Sequence, residues 1–352
     1  MSTTLPTLTA LGWKPFFSSQ LSADEATQLI PGRVMAVHRG KIAVAGHGIE
    51  WLIPPHLRDS DREGYYPAVG DWLLLHPETL QIARILRRAS LFKRLAPGHA
   101  HRIQLIAANV DKAFIVASCN QDFSVPRLER YLVLAQEAGV TPIIVLTKAD
   151  LADSPEDFAK AARSLQPGLL VTTVNAKDPG RVASLAGWCG EGETVALLGS
   201  SGVGKSTLIN TLTGTERIAT QAVREADGKG RHTTTVREMH RLSGGGWLLD
   251  TPGMRELQLT DAAEGVAEVF DDIAILAQSC RFANCTHGLE PGCAVQAELA
   301  EGKLAIDRLQ RWSMLKAENA ANTAAQVRQR DRSRAKASAK RKFRSADSGI
   351  TD

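Results

Sequence analysis

The sequence predicts a multidomain chain: an N-terminal all-β barrel, a central α/β domain with a parallel sheet, and a mostly α C-terminal domain that binds a metal. Three patterns predict it. Short β-type runs alternate with turn residues between Gly32 and Leu86, strand-like and helix-like runs alternate from Ala113 to Leu198, and three cysteines with one histidine crowd between 280 and 293. With 352 residues, 43% of them apolar, the chain is long enough for two or three domains with ordinary cores.

Residues 1–30 are a polar start with one apolar cluster, Leu11, Trp13, Phe16 and Phe17, and read as a lightly anchored extension. The stretch 31–102 follows, with strands expected at Arg33–His38, Lys41–Ala45, Glu50–Ile53, Trp72–His76 and Gln81–Leu86. Five short strands in so few residues suit a small closed barrel of the oligonucleotide-binding (OB) type. Trp51, Tyr65, Tyr66 and Trp72 are each a base-stacking surface or barrel core, core being the commoner fate of an aromatic in a small barrel. Arg87, Arg88, Lys93, Arg94, His99, His101 and Arg102 then form a basic connector around Pro97-Gly98, where a domain boundary belongs.

The central domain is expected over 103–275. Strands at Ala113–Ala117, Pro142–Thr147, Leu169–Val174 and Thr194–Leu198 are separated by helices at Arg127–Ala138, at Pro155–Leu165 and through Trp188. Such alternation is a parallel sheet wrapped by helices. The last strand leads into Gly199-Ser200-Ser201-Gly202-Val203-Gly204-Lys205-Ser206, which fills the template G-x-x-x-x-G-K-[ST], and Leu208, Ile209 and Leu212 follow at helical spacing. In that template backbone N–H groups wrap the α/β-phosphates, the lysine reaches the β/γ-phosphates, and the serine hydroxyl holds Mg²⁺. Thr207, on the helix whose N-terminus faces the anion, joins the nucleotide-binding set.

Further motifs point to guanine. Thr147-Lys148-Ala149-Asp150 resembles the N/T-K-x-D motif of GTPases, whose carboxylate accepts bonds from the guanine N1–H and exocyclic amine. Asn175-Ala176-Lys177 closes the next strand and resembles their S-A-K loop, in which the Ala176 N–H would face the base carbonyl. Asp250-Thr251-Pro252-Gly253 resembles D-x-x-G, whose Asp holds Mg²⁺ through water and whose Gly N–H senses the γ-phosphate. The loop Arg224–Thr235, with Gly228, Gly230 and Arg231-His232-Thr233-Thr234-Thr235, reads as switch I; one threonine should ligate Mg²⁺, and the residues alone leave open which. Met254 stands directly after the D-x-x-G glycine, where Ras-type enzymes carry a water-orienting Gln, so His232 is the candidate catalytic residue.

Cys280, Cys285, His287 and Cys293 read C-x₄-C-x-H-x₅-C, a complete tetrahedral set for one structural Zn²⁺ per chain, in a zinc-binding helical domain over 276–320. Cys119 and Cys189 are expected to be inert core thiols. A helical pattern spans Ala294–Asn319 with a break at Gly302. The net charge of +4 hides an uneven distribution: nine Lys or Arg against one acid lie between Arg328 and Arg344, and the tail 321–352 is expected to be disordered. No apolar run approaches the roughly eighteen residues of a membrane span, and the N-terminus lacks a leader pattern.

The order of the motifs is the discriminating feature. The guanine motif at 147 and its companion at 175 precede the phosphate loop at 199, whereas an ordinary GTPase has them after it. With the barrel and the Cys/His cluster, this permuted set resembles the ribosome-small-subunit-dependent GTPase A family, over roughly residues 12–320. The resemblance implies a slow GTP hydrolase acting late in small-ribosomal-subunit assembly and stimulated by that subunit, with Thr234 as the Mg²⁺-binding threonine. It further implies a cytoplasmic protein, expected to be a monomer, whose partners are GTP/GDP, the small subunit and its rRNA; barrel, connector and tail are the candidate RNA surfaces. One departure is Thr147 in place of the commoner Asn, which loses an amide contact. The rival readings are a non-catalytic GTP-gated RNA-binding module and an ATP-dependent kinase or transporter ATPase; the latter would carry no guanine motif.

Overall fold

A computed structural model describes residues 6–56, 66–95, 103–214, 237–250 and 258–347. Tyr65, the connector residues 96–102, His232, Thr234 and the rest of the switch I loop, and residues 251–257 with Gly253 and Met254 lie outside the described residues. Contacts divide the chain into two compact units, one of residues 1–93 with 105–257 and the other of 94–104 with 258–352.

The first unit opens with two short helices, α1 (Pro15–Ser18) and α2 (Ala23–Gln28). A capping box starts α2: Glu25 N–H donates to Ser22 Oγ at 3.2 Å, and Ser22 N–H donates to Glu25 Oε2 at 2.9 Å. The expectation of a lightly anchored extension is corrected here. Leu11 and Phe17 are buried, the Trp13 ring packs edge-on against Trp72 at 4.8 Å, and Trp247 Nε1 donates to the Ala10 carbonyl at 2.8 Å. The physical reason is the aromatic cluster itself, whose large apolar area is worth more buried than the polar residues around it lose.

Five strands follow close to their expected places: β1 (Ile30–His38), β2 (Lys41–Gly46), β3 (Ile49–Ile53), β4 (Trp72–Leu75) and β5 (Ile82–Ile85). They pair antiparallel in the order β3-β2-β1-β4-β5 around Val34, Ile42, Val44, Leu73, Leu75 and Ile82. Among the described residues no pairing joins β3 to β5. Trp72 is fully buried, so it is core and is removed from the base-stacking candidates; Trp51 is half-buried and Tyr66 is exposed. The connector's charges are partly committed as well: Arg88 grips the buried Asp71 carboxylate through Nε at 2.7 Å and Nη2 at 2.8 Å, and Arg87 lies over the Phe16 ring.

Strands β6 (Leu91–Leu95) and β7 (Ile103–Ala108) pair with each other. The α/β region then runs β8 (Lys112–Ser118), α3 (Val125–Glu137), β9 (Thr141–Thr147), α4 (Pro155–Arg163), β10 (Leu170–Thr173), α5 (Pro179–Val182), β11 (Thr194–Leu198), α6 (Lys205–Thr213), β12 (Arg237–Arg241) and β13 (Trp247–Asp250). Sheet order is β10-β9-β8-β11-β13-β12, with β12 antiparallel to β13 and every other neighbouring pair parallel. β11 is buried along its whole length, as a central parallel strand covered on both faces must be. β12 also pairs antiparallel with β1, Ala36 opposite Glu238, so the N-terminal strands extend the same sheet.

The second unit is mostly helical: α7 (Ala263–Val269), α8 (Asp271–Gln278), α9 (Ala294–Ala300) and α10 (Ile306–Asp347). The chain breaks between α9 and α10 at Gly302, which adopts φ +70°. Arg308 on α10 holds Asp272 on α8 through bonds of 2.6 and 2.9 Å and lies over the Phe270 ring. Within the described part of the tail expected to be disordered, α10 continues to Asp347. Low apolar content argued for disorder, but Ala, Arg, Lys and Gln, which dominate this stretch, are among the strongest helix formers.

Candidate nucleotide site and metal centre

Because β8, β9, β10, β11 and β13 run parallel, their C-terminal ends lie along one edge of the sheet, where open α/β folds bind ligands. That edge collects Thr147 to Asp150 after β9, Asn175 to Lys177 after β10, Gly199 to Ser206 after β11, and Asp250 at the end of β13. The sequence motifs, separated by up to a hundred residues, therefore share one rim.

The phosphate loop needs its glycines. Gly199 has φ +144°, and a Cβ there would lie 2.4 Å from the Val116 carbonyl oxygen; Gly204, at φ +93°, is the N-cap of α6. Gly204 brings no side-chain cap, so the first-turn N–H groups of α6 remain available to an anion. Lys205 is buried, and its ammonium donates to the Gly199 carbonyl at 2.8 Å and to that of Ser200. Ser206 and Thr207 follow, half-buried, in the first turn.

On the neighbouring strands, Lys148 takes the left-handed conformation at φ +56° and leads into the short turn that carries an exposed Asp150. Asn175 Oδ1 accepts from Lys177 N–H at 3.0 Å, which folds the second loop, and Ala176 is buried at its centre. Thr147 is fully buried, and its hydroxyl meets the Ala117 carbonyl at 3.2 Å and the Val203 carbonyl of the phosphate loop. Thr211 Oγ1 on α6 donates to the Ala176 carbonyl at 2.7 Å. Sequence reasoning missed both links. Thr211 carries no motif signal, and Thr147 was read only for the amide it lacks.

Cys119 and Cys189 are buried, and loss of solvation pushes their thiols up to about 11 and about 12, the behaviour of inert core cysteines.

In the second unit Cys280, Cys285, His287 and Cys293 bring their ligand atoms within 4.8 Å of one another. Cys280 Sγ lies 3.9 Å from Cys293 Sγ and 3.5 Å from His287 Nδ1, and Cys293 Sγ lies 3.6 Å from the same nitrogen. A tetrahedron with metal–sulfur bonds of about 2.3 Å has edges of about 3.8 Å, so the set fits a four-coordinate metal. The surrounding contacts orient the ligands. Glu290 accepts from the Thr286 and Gly288 N–H groups at 2.9 and 2.7 Å, Gln296 Nε2 donates to the His287 carbonyl, and the Trp312 ring packs on His287 at 5.4 Å. Burial, and then Lys316, hold the His287 imidazole below its ordinary range and so favour the neutral form a metal requires.

Two solved structures share this fold. One is the crystal structure of YjeQ from Thermotoga maritima, with a TM-score of 0.61, 24% identity, and coverage of 82% of this chain and 98% of that one. The other is YloQ, described as a circularly permuted GTPase, with a TM-score of 0.58, 24% identity, and coverage of 89% and 99%. A parallel sheet in which the loops after β9 and β10 precede the G-x-x-x-x-G-K-[ST] loop gives the same class here, a circularly permuted GTPase fold. At the family level, the RsgA GTPase model matches residues 85–260. The small ribosomal subunit biogenesis GTPase RsgA of Mesorhizobium japonicum is 50% identical over 91% of this chain and 92% of its own length. RsgA 2 of Vibrio parahaemolyticus, which carries the same description, is 47% identical over 95% and 91%. The chain belongs to the RsgA GTPase family, a family of GTP hydrolases.

Proposed function

We propose that this protein hydrolyses GTP in the late maturation of the small ribosomal subunit, gripping the subunit and its rRNA in the GTP state and releasing it after hydrolysis. The observation that carries the reading is the gathering of Thr147–Asp150, Asn175–Lys177 and Gly199–Ser206 on one sheet edge, in a chain half identical to a small ribosomal subunit biogenesis GTPase over nearly its full length. Asp150 accepts the guanine N1–H and amine, and the Ala176 N–H faces the base carbonyl. The backbone of Gly199 to Gly204 and the Lys205 ammonium hold the phosphates. Ser206, Thr234 and Asp250 would hold Mg²⁺, which would neutralise charge on the phosphates. Gly253 N–H senses the γ-phosphate. Met254 has no group able to hydrogen-bond water usefully, so His232 orients the attacking water. Intrinsic turnover is then slow, and binding to the small subunit's rRNA raises it.

In this reading a segment over 1–30 and an OB-type barrel with its connector over 31–102 precede the GTPase domain at 103–275. One structural Zn²⁺ on Cys280, Cys285, His287 and Cys293 supports the domain at 276–320, and a basic tail completes the chain. Tyr66, half exposed, and the tail cations offer contacts to RNA. Among the described residues no helix is long and apolar enough to cross a membrane. A cytoplasmic monomer fits the role. Single-turnover GTP hydrolysis with and without small subunits, across a salt series, tests the proposal. Subunit-stimulated turnover, with tighter subunit binding in a non-hydrolysable GTP analogue than in GDP, is expected. Unstimulated turnover with equal affinity in both nucleotide states would overturn it, and GTP-gated RNA binding without hydrolysis would favour a non-catalytic module.

A further inference from the structure

Strand β12 is where the chain returns from the switch I loop: Thr235 stands two positions before Arg237, the first residue of the strand. Within the α/β sheet β12 is the last strand, paired on one side with β13. Barrel strand β1 takes its other side, with Ala36 opposite Glu238 and Val37 opposite Arg237. A register shift against β2 between Val34 and Ala36 marks a bulge in β1; the edge that pairs with β4 over Ile30–Arg33 serves β12 beyond that bulge. Arg237 is held a second time through its side chain, whose Nη1 donates to the Leu105 carbonyl on β7 at 2.9 Å. On the far side of β12, Glu238 is opposite Asp250, the last residue of β13. Cα atoms of such pairs lie about 4.5–5.5 Å apart, and the three residues from Arg237 back to Thr234 span at most about 11 Å.

We infer that Arg237 is a positioning residue for Thr234: the barrel strand and β7 fix the point from which the switch threonine reaches the Mg²⁺ that Ser206 and Asp250 would hold. The inference rests on the GTP-site reading above. Arg237 is given no contact with nucleotide or metal. What it supplies is a fixed origin beside Asp250. A three-residue tether pinned through backbone pairing and a side-chain bond has less conformational freedom left to lose on engaging the metal than one that ends at a bare sheet edge. Switch I is ordered by the γ-phosphate and Mg²⁺ and released on hydrolysis. The anchor therefore favours GTP over GDP and leaves nucleotide binding in general untouched.

The test compares GTP and GDP affinity of the full chain in Mg²⁺ and in chelator. Arg237→Met keeps the length of the side chain and removes its donors; GTP affinity in Mg²⁺ should fall about tenfold, with GDP affinity within about twofold of wild type. Chelating the metal should bring variant and wild type together for GTP. Arg237→Lys, which still offers a donor to a carbonyl, should lose less than Arg237→Met. On a Thr234→Ala background Arg237→Met should cost little more, because the anchor acts through that threonine. A loss equal for GTP and GDP, a loss that persists in chelator, or additivity with Thr234→Ala would overturn the inference, as would Arg237→Met binding GTP as wild type does. Arg237→Gln carries the same comparison if Arg237→Met fails to fold. Thr234→Ala binding GTP and GDP in the wild-type ratio would instead sink the switch I reading, and the inference with it.

Discussion

The Arg33 guanidinium, on the first strand, donates to Thr194 Oγ1 at 2.8 Å, at the start of the strand that delivers the phosphate loop. The same group donates to the Asn109 carbonyl at 3.1 Å and to the Leu11 carbonyl, and it sits 5.7 Å from the Trp72 ring centroid. Burial pulls its pKa down to about 10, against the opposite pull of Asp111 and Asp71, so it stays cationic at neutral pH. One buried cation therefore ties the N-terminal segment, strand β1 and the root of β11 together. Thr194 is held from a second side, its N–H donating to Asp111 Oδ2 at 2.8 Å.

Replacing that cation should loosen the first unit as a whole. Arg33→Met removes the cost of burying a charge but leaves the carbonyls of Leu11 and Asn109 without their partner, so a net loss of about 2 kcal/mol is expected. Urea unfolding followed by tryptophan fluorescence measures it. A variant as stable as wild type would show that the node carries no net stability.

Guanine specificity is expected to reside in Asp150, which stands exposed beyond β9. Asp150→Asn removes the acceptor for two base donors at a cost of about 1–3 kcal/mol, a ten- to hundredfold loss of GTP affinity. Competition by ATP as effective as by GTP against the wild-type protein would contradict this.

Removing one metal ligand should unfold a part and spare the rest. Cys285→Ala breaks a four-ligand site in the second unit, and structural zinc supplies much of a small domain's folding energy. Elemental analysis of wild type should find about one zinc per chain. In the variant, limited proteolysis should cut within 276–320 while GTP binding persists. A folded, active preparation without zinc would refute the assignment.

Acid should release the second helix. The Arg84 guanidinium, then the Ser22 N–H, hold the Glu25 carboxyl well below its usual 4.5, at about 2. A carboxyl lowered on folding stabilises the folded state above its unfolded pKa and loses that contribution as pH falls through the folded value. The stability difference between wild type and Glu25→Gln should therefore be constant above pH of about 5 and shrink steadily toward pH of about 2. A difference independent of pH over that range would show that the Arg84 contact does not act through charge.

His232→Ala should lower subunit-stimulated turnover while GTP affinity stays within about twofold of wild type, because a water-orienting group acts on the chemical step. Unchanged stimulated turnover would remove His232 from the mechanism.

Much of this protein was legible in the residues alone, because its signals are local. A phosphate loop is a run of backbone geometry written in glycines, as Gly199 and Gly204 show. The candidate metal ligands fit into fourteen residues, so spacing alone predicts that Cys280, Cys285, His287 and Cys293 converge. The permuted order of motifs needed no coordinates either. Tertiary structure decided whatever depends on partners distant in the chain. It made Trp72 core and not a stacking surface, since Trp13 and Phe17 close over it. It docked the N-terminal segment through Arg33 and Trp247, and continued the N-terminal strands into the central sheet through β1 and β12. Thr147 shows the division most plainly. Its identity is local, but its hydroxyl's partner is Val203, 56 positions away, and only the parallel packing of the strands brings the two together. Periodicity and spacing report a chain's own neighbourhood, whereas burial and long-range hydrogen bonds exist only once separate segments have packed.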